Sequence, residues 1–268
     1  MGRVLAISSQ VARGAIGLGA VVPTLQALGH EVVALPSILL SNHPGHARFA
    51  GERVAVDLLR RMLDALGANG WLGEFDAVLT GYLPSAAHVA FAREAVDRLA
   101  AVRADRLYLC DPVLGDDPKG LYIEAAAAEA IRDLLLPRAQ AITPNRFELG
   151  FLLGRDVADE AAASEAIGAF SRDVVVLAKS LPSRNPAGTG DVTHLANMVA
   201  AGGEALAIAR FQRRPLVLHG TGDLMAAIAL SALLEGRAPS DVLGLATAVL
   251  DSVLVASMGR DELDVRAV

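Results

Sequence analysis

The stretch RPLVLHGTGDLMAAIALSALLEG, Arg214 to Gly236, carries the strongest structural signals in this sequence. An apolar run predicts a β-strand at Pro215–Leu218, and an almost wholly apolar run predicts a buried helix at Gly222–Leu234. The tetrapeptide GTGD, Gly220–Asp223, lies where the strand ends and the helix begins. Backbone N–H groups at the start of such a helix can bind an anion. Asp223 then either accepts a proton from an attacking hydroxyl or caps the helix, and this segment alone favours neither role.

The same four letters occur earlier, at Gly188–Asp191, in a different setting. They follow SLPSRNPA, a loop rich in Ser, Pro and Asn, and not an apolar strand. We therefore predict that this first copy is a turn without a catalytic role. The run Val192–Phe211 comes next, and its alternation from Ala205 to Phe211 favours a β-hairpin over two short helices.

The remaining sequence alternates short apolar or β-branched runs with longer helical patterns. This alternation predicts an α/β fold, a doubly wound and mostly parallel sheet with helices on both faces. We see no linker, and we assign residues 1–268 to a single domain. The other predicted strands are Val4–Ser8, Glu31–Leu35, Ala77–Thr80, Leu107–Cys110, Ala141–Thr143 and Val174–Leu177. The other predicted helices are Leu18–Leu28, Glu52–Leu66, Ala86–Ala101, Glu124–Leu135, Arg146–Leu153, Glu160–Phe170 and Pro239–Ser257.

Composition narrows the class of protein. The chain has 268 residues, of which 53% are hydrophobic, so it can bury a large core. A net charge of −6 argues against nucleic acid as the main partner. Cys110 is the one cysteine, which excludes an intrachain disulfide. We find no signal peptide and no uninterrupted apolar stretch of about 20 residues, so we expect a soluble, cytoplasmic protein without a membrane span.

Ligands of such sheets bind at the carboxyl ends of the strands, so polar residues directly after strands are candidate site residues. Asp111 ends one predicted strand, and Asp116 and Asp117 follow within the same loop. Carboxylates in this position suit Mg²⁺. A turn that contains Pro112 is the alternative, and the three acids within seven residues favour the metal.

The next strand end carries Thr143, Asn145 and Glu148. Asn145 with Glu148 three residues later is the pattern of a helix capping box. A carboxylate at the start of a helix can also hold a metal-bound water that faces the cleft, so both interpretations stay open.

The first strand is followed by a glycine-rich segment that contains Gly17 and Gly19. A dinucleotide-binding fingerprint would need a third glycine where Val22 stands and an acidic residue at the end of the second strand, and both are missing. A turn that lets strand and helix pack closely is favoured, and a small-molecule pocket beside Ser9 is a further possibility. The chain also has no Walker A motif.

Six motifs in order resemble those of the pyridoxal kinases, within the ribokinase-like superfamily. They are AISSQVARGAIG, LLSNHPG, LTGY, DPVLGD, TPNRFELGFLLG and HGTGDLMAAIALSALLEG, and the resemblance runs from about Arg3 to about Ser257. It implies a ribokinase-like doubly wound sheet, a homodimer, and transfer of the γ-phosphate of ATP to the 5′-hydroxyl of pyridoxal, pyridoxine or pyridoxamine. The co-substrate and ions that it implies are ATP, Mg²⁺ and often K⁺.

The resemblance also implies roles for individual residues. Asp223 would be the catalytic base, and Gly220, Thr221 and Gly222 would form the anion hole. Vitamer binding would fall to Ser9, His43, Tyr82 and Asp223, and metal binding to Asp111, Asp116 and Glu148. ATP and its metal would be bound by Asp111, Thr143, Asn145, Glu148, Lys179, Ser180 and Thr221.

Three residues depart from the family pattern. Gln10 stands where the family commonly has His, Leu18 where it has Asn, and Pro44 where it has Thr. We expect these changes to surround the vitamer pocket and to affect substrate choice more than phosphoryl transfer. Two alternatives remain open: a hydroxymethylpyrimidine kinase on the same fold, or a vitamer- or ATP-binding protein with weakened catalysis.

Overall fold

The computed structural model describes residues 1–171, 173–183, 194–212 and 218–268. Within these ranges, one large sheet has the strand order β11-β10-β9-β8-β5-β4-β1-β2-β3. Strands β2, β1, β4, β5, β8 and β9 run parallel to one another, whereas β3, β10 and β11 pair antiparallel to their neighbours. The bounds are β1 Arg3–Val11, β2 Glu31–Leu40, β3 Gly51–Arg53, β4 Ala77–Thr80, β5 Leu107–Cys110, β8 Ala141–Ile142, β9 Val175–Ser183, β10 His194–Ala201 and β11 Glu204–Gln212. A separate small hairpin joins β6 Gly115–Asp116 to β7 Gly120–Leu121.

Helices cover both faces of the sheet, and the strands show why. Successive side chains of a strand point to opposite faces. Leu5 and Ile7 of β1 belong to one buried cluster, and Val4 and Ala6 belong to another. The first cluster contains residues of α2 Val56–Ala68, α3 Ala86–Val102, α4 Ala125–Ala130, α5 Arg146–Leu153 and α6 Glu160–Ile167. The second contains residues of α1 Leu18–Ala27, α7 Thr221–Leu234 and α8 Pro239–Ala256. The predicted fold class is therefore confirmed.

Most elements lie where the sequence predicts them. The strands Ala77–Thr80 and Leu107–Cys110 and the helix Arg146–Leu153 have the predicted bounds, and Val192–Phe211 contains the predicted hairpin, β10 and β11. The helix predicted from Glu124 to Leu135 is α4 followed by a π-helical turn over Ile131–Leu135.

The prediction was wrong at the start of the helix Glu52–Leu66. Gly51–Arg53 instead forms the edge strand β3 against Ile38–Leu40, and the helix begins at Val56. Gly51 permits this pairing because its φ is +149° and because a Cβ there would lie 2.0 Å from the carbonyl oxygen of Leu39.

Two predictions fall outside the described residues. The first GTGD copy, Gly188–Asp191, lies there entirely, and so does the strand predicted at Pro215–Leu218 apart from its last residue.

Helix α8 is long and apolar enough to cross a membrane by length and composition alone. It packs instead on α7 and on the hairpin of β10 and β11. Val242, Leu243, Ala246 and Val253 are the residues that it buries in the second cluster. Only 22% of this helix is buried in the structure, and a single helix that meets the test is weak evidence for a membrane span.

Candidate active site

A cleft of about 1550 Å³ opens at the carboxyl ends of the parallel strands. Its walls come from the ends of β1, β2, β5 and β9, from the starts of α5 and α7, and from the faces of β10, β11 and α8. All but one of the predicted site residues line this cleft: Ser9, His43, Tyr82, Asp111, Asp116, Asn145, Glu148, Lys179, Ser180, Gly220, Thr221, Gly222 and Asp223. The exception, Thr143, is buried behind Asp111, to which its hydroxyl donates a hydrogen bond of 2.7 Å.

The start of α7 has the geometry of an anion site. Gly220 is the N-cap residue with a φ of +92°, and no side chain caps this end of the helix. A Cβ on Gly220 would lie 1.9 Å from the carbonyl oxygen of Ala15, so only glycine fits here. The first N–H groups of an uncapped, buried helix are therefore available to a ligand.

Asp223 lies in the first turn of α7, and its carboxylate accepts hydrogen bonds from its own backbone N–H and from that of Gly17. Burial, together with the negative charge of Asp111, raises the pKa of Asp223 to about 6, although the backbone N–H of Gly17 and the charge of Lys179 oppose that rise. At neutral pH the carboxylate is mostly ionised, yet it is a stronger base than an exposed aspartate. It can accept a proton in this state.

Lys179 supplies a positive charge beside this helix start. Its Nζ donates a 2.8 Å hydrogen bond to Oδ1 of Asp111, and both side chains are buried. A Cβ on Gly222 would lie 3.2 Å from the same Nζ, which shows how closely the ammonium approaches α7. Burial lowers the pKa of Lys179, but Asp111 and Glu148 outweigh that effect and hold it above its ordinary value. The ammonium is therefore charged at neutral pH.

Glu148 and Asn145 form the capping box that their spacing predicts. The amide of Asn145 donates to Oε2 of Glu148 at 2.8 Å, and the amide of Glu148 donates to Oδ1 of Asn145 at 2.9 Å. The amide of Leu114 donates to the other carboxylate oxygen at 3.1 Å. Burial raises the pKa of Glu148 well above its ordinary value, although Lys179 opposes the shift. The box leaves the carboxylate on the cleft wall, so the two interpretations of this segment are compatible.

Ser180 follows Lys179 with a φ of +56°, which is unusual for a residue other than glycine. Its amide donates a 2.9 Å hydrogen bond to Oδ1 of the buried Asn197 on β10. This bond fixes the backbone where β9 passes the cleft. Sequence analysis did not identify Asn197, because the contact joins residues from two separate strands.

The carboxylates do not form a direct metal cage. Among the described residues, no three His, Cys, Asp or Glu side chains lie close enough to hold a metal ion together. Asp111 accepts hydrogen bonds from Lys179 and Thr143, and Asp116 accepts one from the amide of Asp117 at 2.9 Å. Mg²⁺ commonly retains waters and uses one or two carboxylates together with substrate phosphates. The donor set fits that type of binding, not a cage of three direct carboxylate ligands.

The other end of the cleft is built from the ends of β1, β2 and β4. Ser9 is buried beside Gly17, and a Cβ on Gly17 would lie 2.3 Å from its Oγ. Tyr82 is half-buried, and its backbone is held on both sides. Its amide donates to Oγ of Ser8 at 3.0 Å, and its carbonyl accepts from Oγ of Ser37 at 2.6 Å. Burial raises the pKa of Tyr82, so the phenol stays neutral at physiological pH.

The expectation that the three departures from the family pattern surround this pocket was wrong for two of them. Gln10 turns away, because its side-chain amide donates to the carbonyl of Val11 at 2.7 Å, and Leu18 is buried in the second cluster. Neither lines the cleft, whereas Pro44 does.

Several cleft residues were missed by sequence reasoning. His219 opens the motif HGTGDLMAAIALSALLEG, and Lys119 follows DPVLGD by three residues, so their position in the sequence could have identified them. An apolar part of the wall gives no such signal, because it is assembled from separate elements. It includes Leu195, Phe211, Met225, Ala248 and Leu254.

Comparison with known proteins gives one consistent result. A family model described as phosphomethylpyrimidine kinase matches residues 14–266. The chain is 32% identical to a pyridoxal kinase of Rubrobacter xylanophilus, over 99% of this chain and 91% of that protein. It is 35% identical to a pyridoxine/pyridoxal/pyridoxamine kinase of Bordetella avium, over 87% of this chain and 78% of that protein.

Solved structures agree with the sequence comparisons. Pyridoxal kinase from Leishmania donovani, in complex with ADP and pyridoxamine, superimposes with a TM-score of 0.88 at 31% identity, covering 98% of this chain and 93% of that one. The fold, the ordered motifs and the relatives lead to one assignment. The chain belongs to the pyridoxal kinases, which lie within the phosphomethylpyrimidine kinase family and the ribokinase-like superfamily.

Proposed function

We propose that this protein transfers the γ-phosphate of ATP to the 5′-hydroxyl of pyridoxal, with pyridoxine and pyridoxamine as further acceptors, in vitamin B6 salvage. One observation carries the proposal. The uncapped start of a buried helix places Asp223 next to free backbone N–H groups, with the ammonium of Lys179 beside Gly222. This arrangement combines a base, an anion hole and a fixed positive charge. The relatives that bind ADP and pyridoxamine or are named for these vitamers support it.

Asp223 acts as the base. It takes the proton from the 5′-hydroxyl while the hydroxyl oxygen forms a bond to the γ-phosphorus. The bond between that phosphorus and the oxygen bridging to the β-phosphate breaks, and ADP leaves with the electron pair. The pKa of about 6 suits this role, because the carboxylate is ionised at neutral pH yet basic enough to accept the proton.

The negative charge on the transferring group is stabilised by groups that are already in place. The N–H groups of Gly220, Thr221 and Gly222 point from the helix start, and Lys179 adds a full positive charge. Asp111 accepts a hydrogen bond from that lysine and another from Thr143, so the ammonium is held in position. Asn145 forms a β-bridge with Lys179, and Ser180 follows that lysine, so both would lie near the phosphates.

The acceptor binds at the end of the cleft formed by Ser9, His43 and Tyr82. The Ser9 hydroxyl hydrogen bonds to the vitamer, and Tyr82 packs against its ring. Both residues sit on backbone that is fixed by the sheet, so the pocket is largely formed before the substrate enters.

Mg²⁺ bound through water and phosphates by Asp111, Asp116 and Glu148 would neutralise charge on the β- and γ-phosphates. Potassium dependence stays a prediction from the family.

We also propose that residues 1–268 act as one domain, that the protein is a cytoplasmic homodimer, and that nucleic acid and membrane are not its partners.

Hydroxymethylpyrimidine kinase activity is the second candidate, and the description of the matching family model favours its inclusion. A binding protein without turnover is the third. Asp223 argues against the third, because a binding protein needs no half-buried carboxylate with a raised pKa.

One substrate panel separates the three candidates. The purified protein is incubated with Mg-ATP and pyridoxal, pyridoxine, pyridoxamine or hydroxymethylpyrimidine, and the phosphorylated products are measured by chromatography. We expect turnover of at least one B6 vitamer well above that of hydroxymethylpyrimidine. The reverse preference supports the second candidate, and tight vitamer binding without any product supports the third.

A further inference from the structure

Two histidines stack on each other in the wall of the cleft. The ring centroids of His43 and His219 are 3.7 Å apart, and the ring planes differ by 25°. His43 belongs to the loop of residues 41–50 between β2 and β3, which we call the acceptor loop. His219 directly precedes Gly220, the N-cap residue of α7. The stack therefore joins the acceptor loop to the anion hole.

The acceptor loop is fitted closely around these rings. The amide of Gly45 donates a 3.0 Å hydrogen bond to Nδ1 of His43, so the proton of the neutral ring lies on Nε2. A Cβ on Gly45 would lie 2.8 Å from Nδ1 of His43 and 3.5 Å from Nε2 of His219. The backbone of the loop thus hydrogen bonds to the ring of His43, and a side chain at position 45 would meet both rings.

Both rings are neutral at physiological pH, which allows them to stack. Burial lowers the pKa of His43 to about 4, with His219, Lys119 and His46 adding to the shift. Burial also lowers the pKa of His219, and Lys119 and His46 act in the same direction. Two neutral aromatic rings attract each other at this distance.

We propose that His219 is a positioning residue, which stacks on His43 to hold the acceptor loop against the anion hole and so sets the affinity for the vitamer. This proposal rests on the proposed function and deepens it. A loop that is ordered before binding costs less entropy when the substrate enters. It also aligns the acceptor hydroxyl with the phosphate that it attacks.

If the stack orders the acceptor loop, removing it should weaken binding of the vitamer and leave binding of the nucleotide almost unchanged. An aromatic pair contributes about 0.5–1.5 kcal/mol, which corresponds to about a 2- to 12-fold change in affinity. His219→Ala should therefore raise the KM and Kd for pyridoxal by about that factor. The Kd for ADP should change by less than about twofold, because the uncapped helix start and Lys179 are retained.

The experiment compares three variants with the wild type. His219→Ala removes the ring, His219→Phe keeps a flat ring without ring nitrogens, and His46→Ala is the matched control, an exposed histidine of the same loop. Pyridoxal KM and kcat, the Kd for pyridoxal and ADP by titration, and the melting temperature are measured for each. We expect the pyridoxal KM of His219→Phe and of His46→Ala to lie within about twofold of the wild-type value.

Two results overturn the proposal. One is a pyridoxal KM and Kd for His219→Ala that equal those of the wild type. The other is an equally large loss in His219→Phe with an unchanged melting temperature, since a stacking role requires rescue by a flat ring. Wild-type protein that binds pyridoxal without forming product refutes the proposed function, while the pyridoxal Kd values still test the stack. Wild-type protein that binds no pyridoxal overturns both.

Discussion

Helices α5 and α7 both begin at the ligand-binding edge of the sheet, but their first turns differ. The first turn of α5 is closed by its own side chains, because Asn145 and Glu148 satisfy each other's backbone amides. The first turn of α7 begins at Gly220 with no side-chain cap, although its helix is buried. The first N–H groups of a helix that has no side-chain cap are normally satisfied by water or by a ligand.

The difference shows that two helix starts at the same edge of the sheet can have different roles, one structural and one chemical. In α5 the carboxylate of Glu148 accepts hydrogen bonds from two backbone amides, those of Leu114 and Asn145, which hold the wall together. Both carboxylates have a raised pKa, but Asp223 follows an N-cap glycine, which has no side chain to occupy the first amides of α7. Unsatisfied amides and a raised pKa reduce stability and are expected where a ligand completes the site.

The largest effect should come from Lys179→Met. The substitution removes the positive charge beside α7 and leaves Asp111 and Glu148 buried without their cation. We expect turnover to fall by about 10²- to 10³-fold. The free energy of unfolding should fall by about 3–5 kcal/mol, measured by urea denaturation.

The sequence offers a matched control for this variant. Lys119 is the other lysine of the sequence, and it is exposed on the cleft. Lys119→Met should leave the free energy of unfolding within about 0.5 kcal/mol of wild type. Equal loss of turnover in both variants would show that general charge, not the position of Lys179, matters.

A second test alters the backbone of the anion hole. Gly220→Ala introduces a Cβ that clashes with the carbonyl of Ala15 and disfavours the φ of +92°. A displacement of about 1 Å in such a site costs about 10²-fold in rate, so we expect a loss of at least that size in kcat/KM. The control is Gly154→Ala at the end of α5, where φ is +64° and a Cβ would meet open space. That variant should lose about 1–2 kcal/mol of stability and keep its turnover. Similar kinetics in the two variants would contradict the role of the α7 start.

A third test uses pH. Because the pKa of Asp223 is about 6 and the ionised form is the base, turnover should fall as the pH decreases through 6. Between pH 8 and pH 5 the decrease should be about tenfold, measured as kcat/KM, which reports the pKa of the free protein. A flat profile down to pH 5 would mean that the base has an ordinary aspartate pKa or that proton transfer does not limit the rate.

The smallest effect concerns a capped helix away from the cleft. Asp159 caps α6 by accepting hydrogen bonds from the amides of Ala161 and Ala162, at 3.1 and 3.0 Å. Asp159→Ala should lower the free energy of unfolding by about 1 kcal/mol and leave kcat unchanged, as thermal unfolding and steady-state assays can show. A loss of turnover without a loss of stability would contradict the separation between capped and uncapped helix starts.

The sequence predicts the layered fold well, because periodicity and strand–helix alternation are local signals. It also predicts the capping box of α5 from a spacing of three residues. It misplaces the start of α2, since β3 exists only through pairing with β2.

Within the cleft, sequence reasoning identifies residues that follow strands but not contacts between distant segments. The pair of Lys179 with Asp111 and the stack of His43 on His219 each join segments that are far apart along the chain. The side-chain direction of Gln10 depends on one hydrogen bond to its neighbour, so its departure from the family pattern could not be placed without coordinates.

The most direct test of the account compares the two copies of GTGD. Turnover of pyridoxal is measured for Asp223→Asn and Asp191→Asn under the same conditions, with vitamer and ADP binding as controls. Loss of a general base predicts that Asp223→Asn lowers kcat by about 10²-fold or more while vitamer binding stays within several-fold. Asp191→Asn should stay within about threefold of the wild type. Equal damage from the two variants, or full turnover in Asp223→Asn, would contradict the assignment of phosphoryl transfer to the start of α7.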